Sequence, residues 1–150
     1  MRSSSLQVLF AGLLSLAALA ACSNPPPPVG RWEGVYEDAS LIVAVRLEIA
    51  QSGEVRVSAP NAITDEAPQI TSAERSQLRA RLLEGLAKSW PHVAPLPLEF
   101  DGKAFHKRGG VAPQLEWDAK AKAMTMIFYS SNRASVRVPL NSVPDFSENS

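Results

Sequence analysis

The residue types that most often carry chemistry are scarce in this sequence of 150 residues. It contains one cysteine, Cys22, and two histidines, His92 and His106, and neither histidine has a second ligand-type residue at helical spacing. Because zinc and related ions are held by clusters of cysteine, histidine and carboxylate side chains, the sequence predicts no metal site and no cofactor. Glu99 and Asp101 could share a strand face as a carboxylate pair for general acid–base chemistry, but an Asp-Gly turn already explains Asp101.

Catalytic templates are absent from the sequence as well. It has no G-x-S-x-G nucleophile elbow, no H-E-x-x-H or C-x-x-C motif, no phosphate-binding glycine loop and no dinucleotide fingerprint. These arrangements account for the usual hydrolytic, redox and phosphoryl-transfer mechanisms. We therefore expect the protein not to be an enzyme.

One basic cluster stands beside a pair of glycines, Gly109-Gly110. Such a cluster is typical of the solvated end of a hairpin. It also suits contact with anionic envelope material, such as lipid headgroups or a cell-wall polymer, by charge attraction. The sequence leaves both interpretations open. The cluster consists of Lys103, His106, Lys107 and Arg108.

The N-terminus has the layout of a secretory signal peptide. A positive residue, Arg2, precedes a mostly apolar run from Leu6 to Ala21 that ends in small residues. The run is shorter than the roughly 18 to 20 apolar residues that span a bilayer. Its end, Leu19-Ala20-Ala21-Cys22, resembles the lipobox of bacterial lipoproteins.

The resemblance to lipoproteins implies how the chain is processed. Residues 1–21 would be the signal peptide, cleavage would fall between Ala21 and Cys22, and acyl chains on Cys22 would hold the mature protein on a membrane. Two or three chains make a stable anchor, because each buried methylene contributes about 0.8 kcal/mol and one chain alone binds only marginally. In this family the next residue influences sorting, and Ser23 favours the periplasmic face of the outer membrane. Since Cys22 is the only cysteine, we expect no internal disulfide.

Charge and composition describe the exported part of the chain. Removal of residues 1–21 deletes one cation, Arg2, and leaves 14 lysines and arginines against 15 acidic residues, a formal charge of −1. This balance gives no reason to expect nucleic acid as a partner. Residues 22–29 form a proline-rich linker. Because polyproline rises about 3.1 Å per residue, the linker is expected to keep the domain within roughly 20 Å of the membrane.

The mature sequence predicts one domain over residues 30–140, because about 110 residues are enough for one core and too few for two. A flexible tail is expected over residues 141–150. A helix is predicted over residues 72–90, where Thr71 and Glu74 have the capping-box spacing and an apolar residue recurs every four positions. The recurring residues are Leu78, Leu82, Leu86 and Trp90.

Strand signals flank the predicted helix on both sides. Before it, apolar residues occupy the odd positions from Leu41 to Ile49 and again from Val55 to Ala59. A three-residue loop with Gly53 in the left-handed conformation would place Ile49 opposite Val55 and keep one face apolar. The same register sets Leu47 opposite Val57 and Glu48 opposite Arg56.

After the helix, an Asp101-Gly102 turn is predicted to set Leu98 opposite Phe105, and a meander follows. With a first strand at Arg31–Glu37 this makes about eight short strands joined by hairpins. The fold class is therefore mainly β (α+β): an antiparallel meander with one central amphipathic helix. Apolar residues on the second face indicate that the helix packs there or that the sheet curls into a partial barrel. Opposed pairs predicted in the meander are Trp117 with Met124, Leu115 with Met126, Phe128 with Val136, and Met126 with Val138.

Gly30-Arg31-Trp32, at the start of the first predicted strand, is similar to the G-x-W motif of lipocalins and related calycin barrels. In that family a late basic residue packs over the tryptophan, and Arg137 is the position that could do so by a cation–π contact. The mid-chain helix departs from the lipocalin pattern, in which the main helix follows the barrel. The residues predicted to bind a small ligand in such a half-barrel are Trp32, Trp117 and Arg137.

Three functions follow from these features, in decreasing order. The first is a non-enzymatic accessory or binding module of the cell envelope, tethered by lipid, whose partner is an envelope protein or cell-wall polymer. The second is a carrier or sensor of a small apolar ligand within a half-barrel. The third is an envelope hydrolase.

Overall fold

The structure is a computed structural model that describes residues 24–64, 70–131 and 133–146. The predicted signal peptide, Cys22 and the last four residues lie outside this part of the chain. The described part forms nine strands and one helix, α1 (Ser72–Ser89), which continues into a 3-10 turn at Trp90–His92. The strands are β1 (Gly30–Glu37), β2 (Leu41–Ile49), β3 (Val55–Ser58), β4 (Asn61–Ile63), β5 (Leu98–Phe100), β6 (Ala104–Lys107), β7 (Pro113–Asp118), β8 (Ala123–Ser130) and β9 (Arg133–Val143).

The nine strands form one antiparallel sheet that curls into a nearly closed barrel. Its order is β3-β2-β1-β9-β8-β7-β6-β5, and β4 pairs with the start of β2. The two ends of the sheet approach each other where the Leu96 N–H donates to the Val55 carbonyl at 2.7 Å. The predicted class, a mainly antiparallel β fold with one helix, is confirmed.

The barrel interior is filled with apolar side chains. Alternation along each strand directs one set of residues inward, and these are almost completely removed from water. Each such side chain contributes roughly 1.5 to 3 kcal/mol on burial, so the interior is the main source of stability. The largest are Phe105, Leu47, Ile49, Leu115, Met124, Val43, Val45, Val55 and Val138.

Helix α1 packs on the outer face of the barrel, chiefly against β2. This explains why β2 is buried on both faces, with Ile42 and Ala44 fully covered outside and odd-numbered residues inside. The helix begins as predicted: Thr71 Oγ1 accepts from the Glu74 N–H at 3.2 Å, and the Glu74 carboxylate accepts from the Thr71 N–H at 2.8 Å. The two alternatives for the second face, a packed helix and a curled sheet, therefore occur together.

Most predicted strand registers are confirmed. Ile49 faces Val55 across the β2–β3 hairpin, and Gly53 has the expected left-handed conformation with φ of 87°. In the meander, Trp117 faces Met124 as predicted, and the remaining opposed pairs also match. The agreement arises because a shift by one residue would turn every large apolar group toward water.

One predicted register, that of the β5–β6 hairpin, is wrong. Leu98 lies opposite Lys107, and Phe105 lies opposite Phe100. The chain reverses at Gly102-Lys103 instead of Asp101-Gly102: the Asp101 N–H donates to the Ala104 carbonyl at 3.0 Å, and Asp101 Oδ1 accepts hydrogen bonds from the N–H groups of Lys103 and Ala104. The shift is by two residues, so the inward face is unchanged.

The predicted end of the domain at residue 140 is also too early. Strand β9 continues to Val143, and Arg31–Glu33 pairs with its last residues. Phe146 then packs with its ring 4.8 Å from that of Trp90. The strand count is one higher than expected because the three-residue β4 has no alternation to reveal it.

Candidate functional site

The structure brings together two of the three residues expected to line a ligand site. The rings of Trp32 and Trp117 meet edge to face, with centroids 6.3 Å apart and planes at 72°. Trp32 is 3% exposed, and its Nε1 is buried with no hydrogen-bond partner among the described residues. The pair lies within the packed interior of the barrel.

Arg137 does not join the tryptophan pair. It lies opposite Ile127 on the outward-facing side of β9, where its guanidinium pairs with the carboxylate of Glu116. This ion pair raises the pKa of Arg137 above its ordinary value. The predicted cation–π contact of Arg137 with Trp32 is therefore wrong, because residue 137 has the parity of the outer face.

The linker does not project freely from the domain. Pro27 and Pro28 are half-buried, and Pro27 passes close to Gly53 at the β2–β3 turn. Pro25 lies against Gly102 in the β5–β6 turn, where a Cβ on the glycine would be 3.1 Å from Pro25 Cδ. The linker therefore crosses one end of the barrel from β1 to β6.

This path places Asn24 beside the predicted basic cluster. Asn24 lines a surface depression of about 470 Å³ together with parts of β5, β6 and the loop after β6. We call this region the anchor-side surface, because Asn24 is two residues from the predicted lipid acceptor Cys22 in the sequence. It comprises Asn24, Glu99–Asp101, His106, Lys107 and Gly109–Val111.

Two members of the basic cluster are already paired with acidic neighbours. Arg108 Nε donates to Glu99 at 2.9 Å, and His106 Nε2 lies 2.9 Å from Asp101 Oδ2. Backbone hydrogen bonds from the turn, followed by the contact with His106, lower the pKa of Asp101 from 3.8 to about 2. The side chains of Lys103 and Lys107 are exposed. Lys103, Lys107 and Arg108 together exceed the two acidic neighbours, Glu99 and Asp101, by one positive charge.

The Asp101–His106 pair has the geometry of an oriented imidazole but lacks the other parts of a catalytic site. His106 Nδ1 is buried without a hydrogen-bond partner in the described chain, so we assign the proton to Nε2. No hydroxyl of the described residues bonds to this imidazole. Among the same residues, no group of three histidine, cysteine or acidic side chains is arranged to hold a metal ion.

A groove of about 280 Å³ runs along the outer face, between α1 and the β1–β9 strand pair. Leu83 and Leu86 form its helical wall, and Val35 and Val143 form its floor. Val35 is 42% exposed, so α1 covers only part of the sheet beneath it. Leu86 in the helical wall belongs to the apolar repeat predicted for the helix, whereas the exposed floor depends on where the helix crosses the sheet.

Sequence reasoning missed an arginine–aromatic stack at the end of this groove. Arg46, 6% exposed, lies 4.5 Å from the Phe146 ring centroid and 5.8 Å from that of Trp90. Arg56 lies 4.6 Å from the Trp90 ring centroid and donates to the Trp90 carbonyl at 2.7 Å. Glu33 accepts from Arg46 at 3.1 Å. The stack ties α1 and the C-terminal residues to the sheet, and Phe146 was hidden in a segment that looked like a polar tail.

No helix in the described ranges has both the length and the apolar character needed to cross a bilayer. Comparison with protein-family models, with curated proteins and with solved structures gives no match. Functional inference therefore depends on the residues and geometry of this chain.

Proposed function

We propose that the protein is a non-enzymatic lipoprotein domain, held by acyl chains on Cys22 at the periplasmic face of the outer membrane. There it acts as an accessory module that binds another component of the envelope. The lipobox-like segment Leu19-Ala20-Ala21-Cys22 and the expected route of export motivate the anchor. The absence of a catalytic motif in the sequence motivates a binding role.

The path of the linker is the observation that carries the proposal. Cys22 is two residues from Asn24 in the sequence, and two residues of extended chain span about 7 Å at most. Asn24 belongs to the anchor-side surface. Lipid on Cys22 would therefore hold the domain directly against the membrane, in a restricted orientation, instead of at the end of a free spacer.

The groove beside α1 is the surface that an envelope partner would meet. It combines apolar walls with polar groups from Glu33, Arg46 and Asn141, a mixture that is common at protein interfaces. A photo-crosslinking side chain at Val35, within the groove, is expected to capture one reproducible partner in intact cells. Ile63, exposed on β4 outside the groove, is the matched control position. Capture of the same proteins from both positions would argue against the groove as the binding surface.

A carrier of a small apolar ligand is the alternative. The buried, unpaired Trp32 Nε1 favours it, because leaving such a donor unsatisfied costs roughly 1 to 3 kcal/mol. The densely filled interior argues against it, since Phe105, Leu115 and Met124 occupy the space that a ligand would need. Native mass spectrometry of protein purified from its host should show a ligand mass if the carrier role holds, and bare protein if the first proposal holds.

The anchor itself is tested by fractionation of cells that express the Cys22→Ser variant. We expect loss of acylation, measured by mass spectrometry, and loss of membrane retention. The matched control is Ser23→Asp, which keeps the acceptor cysteine and, by resemblance to the lipoprotein family, is expected to move the protein to the inner membrane. Unchanged fractionation of Cys22→Ser would overturn the proposal.

A further inference from the structure

The loop after β6 has the properties of a membrane-contact element. The backbone reverses at Gly109, with φ of 72°, and the Gly110 N–H donates to the Lys107 carbonyl at 2.7 Å. Val111 follows this tight turn and is 90% exposed, more than any other large apolar side chain in the described ranges. An apolar side chain that projects this far from the surface gains free energy when it enters an apolar phase.

Basic side chains flank the exposed valine. Lys107 is exposed, and the Arg108 side chain is 81% exposed even though it contacts Glu99. Basic residues beside a projecting apolar residue are the combination that binds an anionic membrane surface, because the cations meet headgroup phosphates while the apolar group enters the acyl boundary.

The chain connectivity places this loop next to the anchor. Val111 and Lys107 share the anchor-side surface with Asn24, and the lipid acceptor Cys22 is two residues away along the chain. The bilayer is therefore the first large partner that the loop would meet. The covalent link brings it there without any affinity of the loop itself.

We propose that residues 107–112 form a second, non-covalent membrane contact, in which Val111 inserts at the acyl boundary and Lys107 and Arg108 contact anionic lipid headgroups. The inference rests on the proposed lipid anchor and adds to it a fixed orientation. The side of the barrel formed by β5 and β6, where Asn24 and Val111 line one depression, faces the bilayer, and the groove beside α1 remains open to partners.

A site-specific fluorescent probe tests this contact in the full, processed lipoprotein. Because acylation consumes the only native cysteine, Val111→Cys supplies one free thiol for an environment-sensitive dye. Ile63→Cys is the matched control, since Ile63 is 58% exposed and pairs with Leu41, at the end of β2 remote from the linker. Both variants are inserted into vesicles with and without anionic lipid, and flotation and acyl mass are measured on the same samples.

We expect a blue shift and higher intensity for the dye at position 111 and little change at position 63. The shift should be larger with anionic lipid. It should decrease when Lys107 is replaced by glutamine (Lys107→Gln), and also in 1 M salt, where the Debye screening length is only about 3 Å. A floating, acylated protein whose dye at position 111 stays in water would overturn the loop contact and leave the anchor intact. Equal shifts at both positions would overturn the orientation. A protein without acyl mass that does not float would overturn the anchor and this inference together.

Discussion

Replacement of Phe146 by alanine tests the arginine–aromatic stack, which the sequence did not reveal. The Phe146 ring meets Trp90 edge to face at 4.8 Å, and the Arg46 guanidinium lies 4.5 Å from its centroid. Arg31 lies near the other side of the same ring, at 5.6 Å. Phe146→Ala removes all three contacts while leaving the strands and their hydrogen bonds in place.

The expected loss can be estimated from these contacts. Half-burial of the ring contributes about 1 kcal/mol, and the edge-to-face pair with Trp90 about another 1 kcal/mol. The cation–π contact adds roughly 1 kcal/mol, since the Arg46 side chain is only 8% exposed. We therefore expect the free energy of unfolding to fall by about 2 to 3 kcal/mol. Phe146→Leu retains most of the burial and should lose about 1 to 2 kcal/mol.

Denaturant unfolding followed by tryptophan fluorescence measures these changes, and Trp90 reports the contact directly. Val111→Ala is the control, because a residue that is 90% exposed should change stability by less than about 0.5 kcal/mol. A loss for Phe146→Ala no larger than that of the control would refute the argument. The C-terminal residues would then lie on the sheet without stabilising it.

Two further predictions concern the barrel itself. Gly34→Ala should lower the free energy of unfolding by about 1 to 3 kcal/mol in denaturant unfolding, because the added Cβ would lie 2.5 Å from the Pro139 carbonyl oxygen. Gly85→Ala is the control: there is open space around Gly85, so this change should be neutral or stabilising. Equal effects of the two changes would contradict the close approach of β1 and β9. The Asp101 carboxyl should titrate near pH 2 by NMR, with the Lys103 and Ala104 amides following it. Because its pKa is lowered on folding, its contribution to stability is complete above about pH 4 and is lost as the pH falls through 2; a midpoint near 3.8 would contradict the turn.

The sequence predicted the barrel core well because parity constrains it strongly. Along β2 and β8 every second residue is large and apolar. The opposed pairs Ile49–Val55 and Trp117–Met124 are the ones that place these residues together on the buried face. The predicted register of the β5–β6 hairpin was wrong by two residues, because a shift by an even number of residues leaves the same side chains on the inward face. The position of that turn is set by Asp101, whose side-chain hydrogen bonds are not visible in an alternation pattern.

The candidate sites were less predictable, because they depend on contacts between distant segments. Arg137 and Trp32 match a motif in type, yet the parity of β9 turns Arg137 outward to Glu116. The basic cluster was found, but its pairing of Arg108 with Glu99 required the register that sequence reasoning missed. Phe146 carried no signal, since a single aromatic residue in a polar segment has no periodicity to reveal its packing.

The path of the linker depends on a contact between two segments that are distant in the sequence. From its own sequence the polyproline segment is a spacer, and from its own sequence the Asp101-Gly102 turn is the end of a hairpin. Gly102 leaves room for Pro25 to approach the β5–β6 turn, and Asn24 consequently lies at the anchor-side surface. An added side chain at Gly102 should displace the linker without altering the barrel core. In the proposed lipoprotein, the position of the lipid relative to the Val111 loop would therefore be decided by the contact between linker and turn as well as by the length of the linker.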